Sequence, residues 1–182
     1  MRYRFAALCI SVLALSLTAQ AQFSGSYDPR YGSNAGKPGG DESFIEQEMN
    51  IVSAEIEWSQ IAASKGTNPD VKALANETVT EDAPVAGRLI AEAKAAKVAV
   101  PNGLSGKYKK ESEKLNSLSG AAFDKEYVTS LIKVQHEDVG TLLDEAKSTR
   151  NPALESFAEK TGNQVSGRND SAKMLDKMLV AK

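Results

Sequence analysis

The chain of 182 residues contains one cysteine, one histidine and one tryptophan, and aromatic residues make up only 6% of it. A single cysteine excludes an internal disulfide framework and a cysteine-based zinc site. A single histidine excludes the di-iron arrangement that draws a Glu-x-x-His from each of two helices. Charge of either sign is not in excess: Lys+Arg 22 stand against Asp+Glu 24, for a formal net charge of −2. Bulk charge therefore gives no attraction to nucleic acid. Gly32 to Pro38 falls one residue short of a phosphate loop, and no Ser or Thr follows Lys37. There is no Gly-x-Ser-x-Gly elbow. Nothing in the sequence carries a catalytic signature.

Long apolar runs are also scarce. The longest, Phe5 to Leu17, is broken only by Ser11 and Ser16. It is shorter than the roughly 20 residues a spanning helix needs. Arg2 and Arg4 precede it, and the small-x-small triplet Ala19-Gln20-Ala21 follows. This is the layout of a secretory signal peptide, with cleavage expected after Ala21. Cys9 would leave with it, and the remaining chain would suit an oxidising compartment. Residues 22 to 40 read as a flexible linker, with Gly, Ser and Pro at 10 of 19 positions. Tyr27 and Tyr31 within it read as solvated tether residues.

Residues 41 to 182 are expected to form one helical domain. A helix opens at Asp41-Glu42-Ser43, whose acids suit the positive end of the helix dipole, and closes at Gly66. Phe44, Ile51 and Trp58 mark its apolar face, beside Ile45, Val52 and Ile56. A second helix opens on Asn68-Pro69, a cap followed by proline at the first helical position. Val71, Leu74, Ala75, Val85, Leu89 and Ala93 form its stripe down to about Lys97. Pro84 inside it should kink the helix and free the carbonyl of Thr80. A third long helix begins after Ser119-Gly120 and runs to about Thr149, with Phe123, Tyr127, Val128, Leu131, Ile132, Val139, Leu142, Leu143 and Ala146 on a broad apolar face. A fourth opens on Asn151-Pro152. Its stretch Gly162 to Asp170 holds two glycines and few apolar anchors, which predicts a weakened or interrupted turn.

Asn68-Pro69 and Asn151-Pro152 lie 83 residues apart, each opening a helix after a tight turn. Two such copies point to a duplicated hairpin. The 22 residues from Val98 to Ser119 are far more than antiparallel neighbours need. A connector of that length can cross the bundle and include a short helix near Gly106 to Leu118. The expected fold is all-α: a ferritin-like four-helix bundle of two hairpins joined by a long crossover, with simple up-down-up-down order as the alternative. Lys107, Lys109, Lys110 and Lys114 make that crossover locally basic, but Glu111 and Glu113 dilute the field, so it reads as a solvated face.

The block Gly120-Ala121-Ala122-Phe123-Asp124-Lys125-Glu126-Tyr127-Val128, with His136-Glu137-Asp138-Val139 after it, resembles a family of bacterial exported proteins. Ala54-Glu55-Ile56-Glu57 and Val71-Lys72-Ala73-Leu74-Ala75 share the resemblance. The family is catalogued as domain of unknown function 4142. The likeness spans about Phe44 to Leu179 and implies a ferritin-like bundle outside the cytoplasm, without an established activity. Many relatives carry an Asp-His pair where this chain reads Glu81-Asp82-Ala83-Pro84. Many carry another histidine late in the last helix, where this chain has Arg168 or its neighbours.

Two function classes emerge. Glu48 and Glu55 fall on the first helix's apolar stripe and Asp82 on the second's, which is how bundles present carboxylates to a metal. His136, four after Ile132 and three before Val139, leans toward the core face. A metal site would thus draw on His136, Glu55 and Asp82, holding Fe, Mn or Zn in a metal-binding or redox protein. The preferred reading is blander. The acids sit at stripe edges, solvated or paired with lysine, and His136 hydrogen-bonds locally at the core edge. The protein is then an exported, non-catalytic bundle of the periplasm or outer cell envelope, an interaction or stress-related module without a cofactor. Its partner is an unknown protein or envelope component. Intact-mass measurement on protein from the native envelope fraction should find a species that begins after Ala21; one retaining Met1 to Leu17 contradicts the leader reading.

Overall fold

The computed structural model describes residues 40–180. The expected leader and nearly all of the linker lie outside the described residues. Within them are five helices and no strand: α1 (Asp41–Lys65), α2 (Pro69–Ala96), α3 (Gly106–Ser117), α4 (Gly120–Ser148) and α5 (Pro152–Val180). The boundaries follow local chemistry. Asn68 caps α2 by accepting from the Asp70 amide at 2.8 Å, with Pro69 at the first helical position. Asn151 repeats this at α5, accepting from the Ala153 amide at 3.0 Å. Both halves of the sequence repeat thus perform the same capping step.

Cross-helix hydrogen bonds fix the direction of each helix. Thr149 donates to Asp41 at 3.1 Å, Gln47 to Thr141 at 3.0 Å, and Ser59 meets Tyr127 at 2.9 Å. Low numbers on α1 therefore pair with high numbers on α4, and the two run antiparallel. The Arg88 side chain reaches the Ala153 carbonyl at 2.9 Å, and Arg168 reaches Asp82 at 2.7 Å, so α2 and α5 are antiparallel as well. The order is up-down-down-up. The segment between α2 and α4 must travel the length of the bundle, carrying α3 along α1 and α4. Two hairpins joined by one long crossover with a short helix is the expected plan.

Apolar side chains form two layers. Trp58, Leu74, Leu115, Phe123, Tyr127, Leu131 and Leu175 belong to one, toward the α1–α2 turn. Phe44, Ile45, Leu89, Leu142, Leu154 and Phe157 belong to the other, toward the start of α1. Phe44 and Phe157 meet edge to face at 6.5 Å in this second layer.

One local expectation is corrected. α5 runs unbroken through Gly162 to Asp170. Tertiary packing outweighs poor propensity there: Val165, Arg168 and Asn169 are all buried, and the Asn169 amide donates to the Ile132 carbonyl at 2.9 Å. Gly162 lies against α4, where an added Cβ would come within 3.5 Å of Leu142 Cβ. α2 continues past Pro84, which sits inside it, as one helix.

The α1–α2 turn is tied to α4 by Asp124, which is 2% exposed. Its carboxylate accepts from the Thr67 amide at 3.0 Å, the Thr67 hydroxyl at 2.5 Å and the Asn68 amide at 2.9 Å. Removing the acceptor forfeits three hydrogen bonds to a charged group, each contributing about 1.5–3 kcal/mol, although the exposed Thr67 and half-buried Asn68 recover part of this from water. Asp124→Ala should therefore lower stability in urea unfolding by about 2–4 kcal/mol, with Phe123 still buried and the helix content unchanged.

Candidate functional site

Between the two apolar layers lies a polar one. α1 contributes Glu48 and Glu55, seven residues and two turns apart on one face. α2 contributes Thr78 and Asp82, α4 contributes Gln135 and Asp138, and α5 contributes Arg168. None of these is exposed; Glu48, Glu55 and Gln135 are at 0% and Arg168 is at 4%.

Arg168 joins the acids. Its Nη2 lies 2.9 Å from Glu55 Oε2 and 2.7 Å from Asp82 Oδ1, and its Nη1 lies 2.7 Å from Glu81 Oε2. The first two partners are buried, while the Glu81 side chain is about one-third exposed at 34%. One guanidinium thereby connects α5 with α1 and α2, using the planar fork that lysine lacks. Gln135 brings in α4 by donating to Glu55 Oε2 at 3.3 Å. Glu48 and Asp138 face each other across the α1–α4 seam within hydrogen-bonding reach.

Burial dominates the electrostatics. It pushes the Glu48 carboxyl up to about 8; a hydrogen bond with Asp138 opposes the shift, and the charge of Glu55 adds to it. Glu55 rises to about 7, through burial and the charge of Asp138, with Arg168 pulling the other way. Asp82 rises to about 8 through burial and Glu55, again opposed by Arg168. Asp138 is held well above the usual carboxylate range by burial, then by the charge of Glu48. Burial works against the charge on Arg168, but Glu55, Asp82 and Glu81 outweigh it and keep the guanidinium ionised.

The sequence pattern placed three residues at one site, and the structure brings two of them together. Glu55 and Asp82 share Arg168. His136 does not join them: it is exposed on α4. It sits two residues from both Val134 and Asp138, about 200° around the helix from each at ~100° per residue. The buried face runs through Tyr127, Leu131, Val134, Asp138 and Leu142. The preferred reading of the acids is also corrected. Glu48, Glu55 and Asp82 are neither solvated nor paired with lysine; all three are buried, and Glu55 and Asp82 pair with Arg168.

Sequence reasoning missed Asp138 and Gln135 as inward groups and Arg168 as the central one. A signal for Asp138 was present, since Leu131, Val134, Asp138 and Leu142 keep helical spacing. Choosing Val139 as the stripe residue shifted the face by one position. Arg168 was hidden because its surroundings read as a poor helix. Among the described residues no group of three or more His, Cys, Asp or Glu side chains converges with the geometry to hold a metal ion. Among the described residues, Arg168 is the cation that pairs with Glu55 and Asp82.

The family described as a domain of unknown function (DUF4142) matches residues 29–175. The chain belongs to this family. Neither the curated proteins nor the solved structures yield a match. Membership brings no assigned chemistry, and what the site does rests on its own geometry.

Removing one partner of a buried ion pair leaves uncompensated charge and costs about 3–5 kcal/mol. Arg168→Met should lose about that much stability at neutral pH in urea unfolding. Followed from about pH 9 down to about pH 6, the loss should shrink as Glu55, raised to about 7, and Asp82, raised to about 8, take up protons instead. Equal losses at both pH values would show that Arg168 acts by packing alone.

Proposed function

We propose that this protein is an exported, non-catalytic helical-bundle protein of the bacterial cell envelope that acts through its outer surface on an envelope protein or component. The observation that carries this reading is the position of Arg168. Its guanidinium occupies the middle of the carboxylate layer, within 2.9 Å of both Glu55 and Asp82. A metal drawing on those two acids would have to displace it, and two like-signed cations would then compete for one set of ligands. The chain's only histidine lies outside the layer. The acids are also shut away: Glu48, Glu55, Asp82 and Asp138 are each at most 3% exposed. General acid or base work needs a carboxyl within hydrogen-bond reach of a substrate, and these carboxyls face one another, Arg168 and Gln135 in the interior.

Export is supported by the leader pattern in residues 1 to 21 and by the Gly/Ser/Pro-rich stretch before α1. None of the helices among the described residues is long and apolar enough to cross a membrane. The outer surface carries apolar groups suited to a protein contact: Met174 and Met178 lie one turn apart on α5, 61% and 51% exposed.

The test is elemental analysis of protein purified from a native envelope fraction without added metal or chelator. The expected result is Fe, Mn and Zn all well below one atom per chain. A stoichiometric metal that survives dialysis contradicts the reading and promotes a metal-binding or redox role.

A further inference from the structure

The polar layer holds more acid than its one arginine balances. Glu48 and Glu55 face it from α1, Glu81 and Asp82 from α2, Asp138 from α4, and Arg168 from α5. From α3, Tyr108 approaches the edge of the layer, where its hydroxyl donates to Glu137 at 3.1 Å. Arg168 reaches Glu55, Asp82 and Glu81, and Glu48 has no donor from it. Both Glu48 oxygens, Glu55 Oε1, Asp82 Oδ2 and Asp138 Oδ1 are buried acceptors without a donor when every carboxyl is ionised. Gln135 Oε1 is a further unpartnered acceptor beside them. Uncompensated acceptors in a dry interior are unfavourable, and facing carboxyls relieve this by sharing a proton.

We propose that Glu48 and Asp138 form a built-in proton site: Asp138 carries a proton, donates it to Glu48 across the α1–α4 seam, and gives it up in alkaline medium, which loosens the bundle at its middle. The proton turns two facing acceptors into one hydrogen bond and removes one negative charge from the layer. This deepens the reading above, since it takes the layer as balanced by protons and Arg168 and not by a metal. The direction of the pH effect follows from linkage. Free carboxyls titrate near about 4, whereas burial holds Glu48 up to about 8 and Asp138 well above its usual range. Below about 4, folded and unfolded chains bind the same protons and the contribution is constant. Above it the unfolded chain has released protons that the folded chain keeps, so stability falls as pH rises. The fall is complete once the folded carboxyls have ionised, above about 8 for Glu48.

Glu55 and Asp82, raised to about 7 and about 8, also titrate in this range, and a second acid pair further complicates a bare pH profile. At the start of α1, burial and the neighbouring Asp41 push Glu145 of α4 up to about 8 as well. Variants must therefore assign the effect. The experiment is urea unfolding of the mature chain between about pH 6 and about pH 9, with chelator present, for wild type, Glu48→Gln and Asp138→Asn. Infrared spectra of the folded proteins report the carbonyl stretch of protonated carboxyls. The folding equilibrium constant of the wild type should fall by about tenfold per pH unit for each proton released. Glu48→Gln and Asp138→Asn should each flatten that slope by about one proton. The protonated-carboxyl band should be present near pH 6, fade toward pH 9, and be weaker in Asp138→Asn. An unchanged slope in both variants, or no such band in the wild type near pH 6, overturns the proposal. Should neither variant fold, Glu48→Asp and Asp138→Glu, which keep both carboxyls but move them, should shift the pH at which the band fades, and an unchanged pH in both overturns the proposal. Stoichiometric metal in the native protein overturns the preceding reading on its own. A band seen only after metal is stripped overturns both.

Discussion

A buried guanidinium among buried carboxyls is the constraint on which this bundle depends. Arg168 is the point where α5 meets α1 and α2 through charge, and Gln135 extends the same set of contacts to α4. Such a layer is a poor source of net stability, because desolvation offsets most of the attraction. Its effect is on arrangement. Apolar layers of Leu, Val and Ala tolerate a helix that slides or turns a little, and a planar fork 2.7 Å from Asp82 and 2.9 Å from Glu55 does not. The registers of α1, α2 and α5 are specified where the acids meet the arginine, and the apolar layers on either side supply the burial that drives folding.

Much of this architecture was legible in the sequence, for local reasons. Asn-Pro pairs open α2 and α5, and Gly66 follows the end of α1, because capping chemistry acts within a few residues. The crossover was legible by length, since 22 residues are needed to cross a bundle and not to turn a corner. What stayed hidden was decided by tertiary contact. The stretch from Gly162 to Asp170 has little intrinsic helicity, yet it is held helical by Arg168 among the acids and Asn169 on the Ile132 carbonyl. The site was half legible. Glu48, Glu55 and Asp82 announced themselves by lying on apolar stripes, because helical spacing alone puts them inward. Their partner did not, because a lone arginine beside Asn169 and Asp170 reads as surface.

His136 shows how narrow the margin is. A helical stripe judged from Ile132 and Val139, both only partly buried, points about one residue away from the stripe that is buried. That error of about 100° carries the histidine from the core edge to solvent and brings Asp138 in. The chemical outcome differs in kind. With the histidine inside, the layer would hold a neutral ligand among carboxylates; with Asp138 inside, it holds a further acid that only protons or cations can balance.

The most direct measurement of the central claim is a double-mutant cycle between Arg168 and Asp82, with Arg168→Met, Asp82→Asn and the pair compared in urea unfolding near neutral pH. If the guanidinium is the resident cation of the layer, removing Asp82 should matter much less once Arg168 is gone, with a coupling in the upper part of the about 0.5–3 kcal/mol range seen for contacting residues, and larger still near about pH 9, where Asp82, raised to about 8, is ionised. Additive losses, with a coupling near zero, would contradict it and leave Arg168 as one more packed side chain.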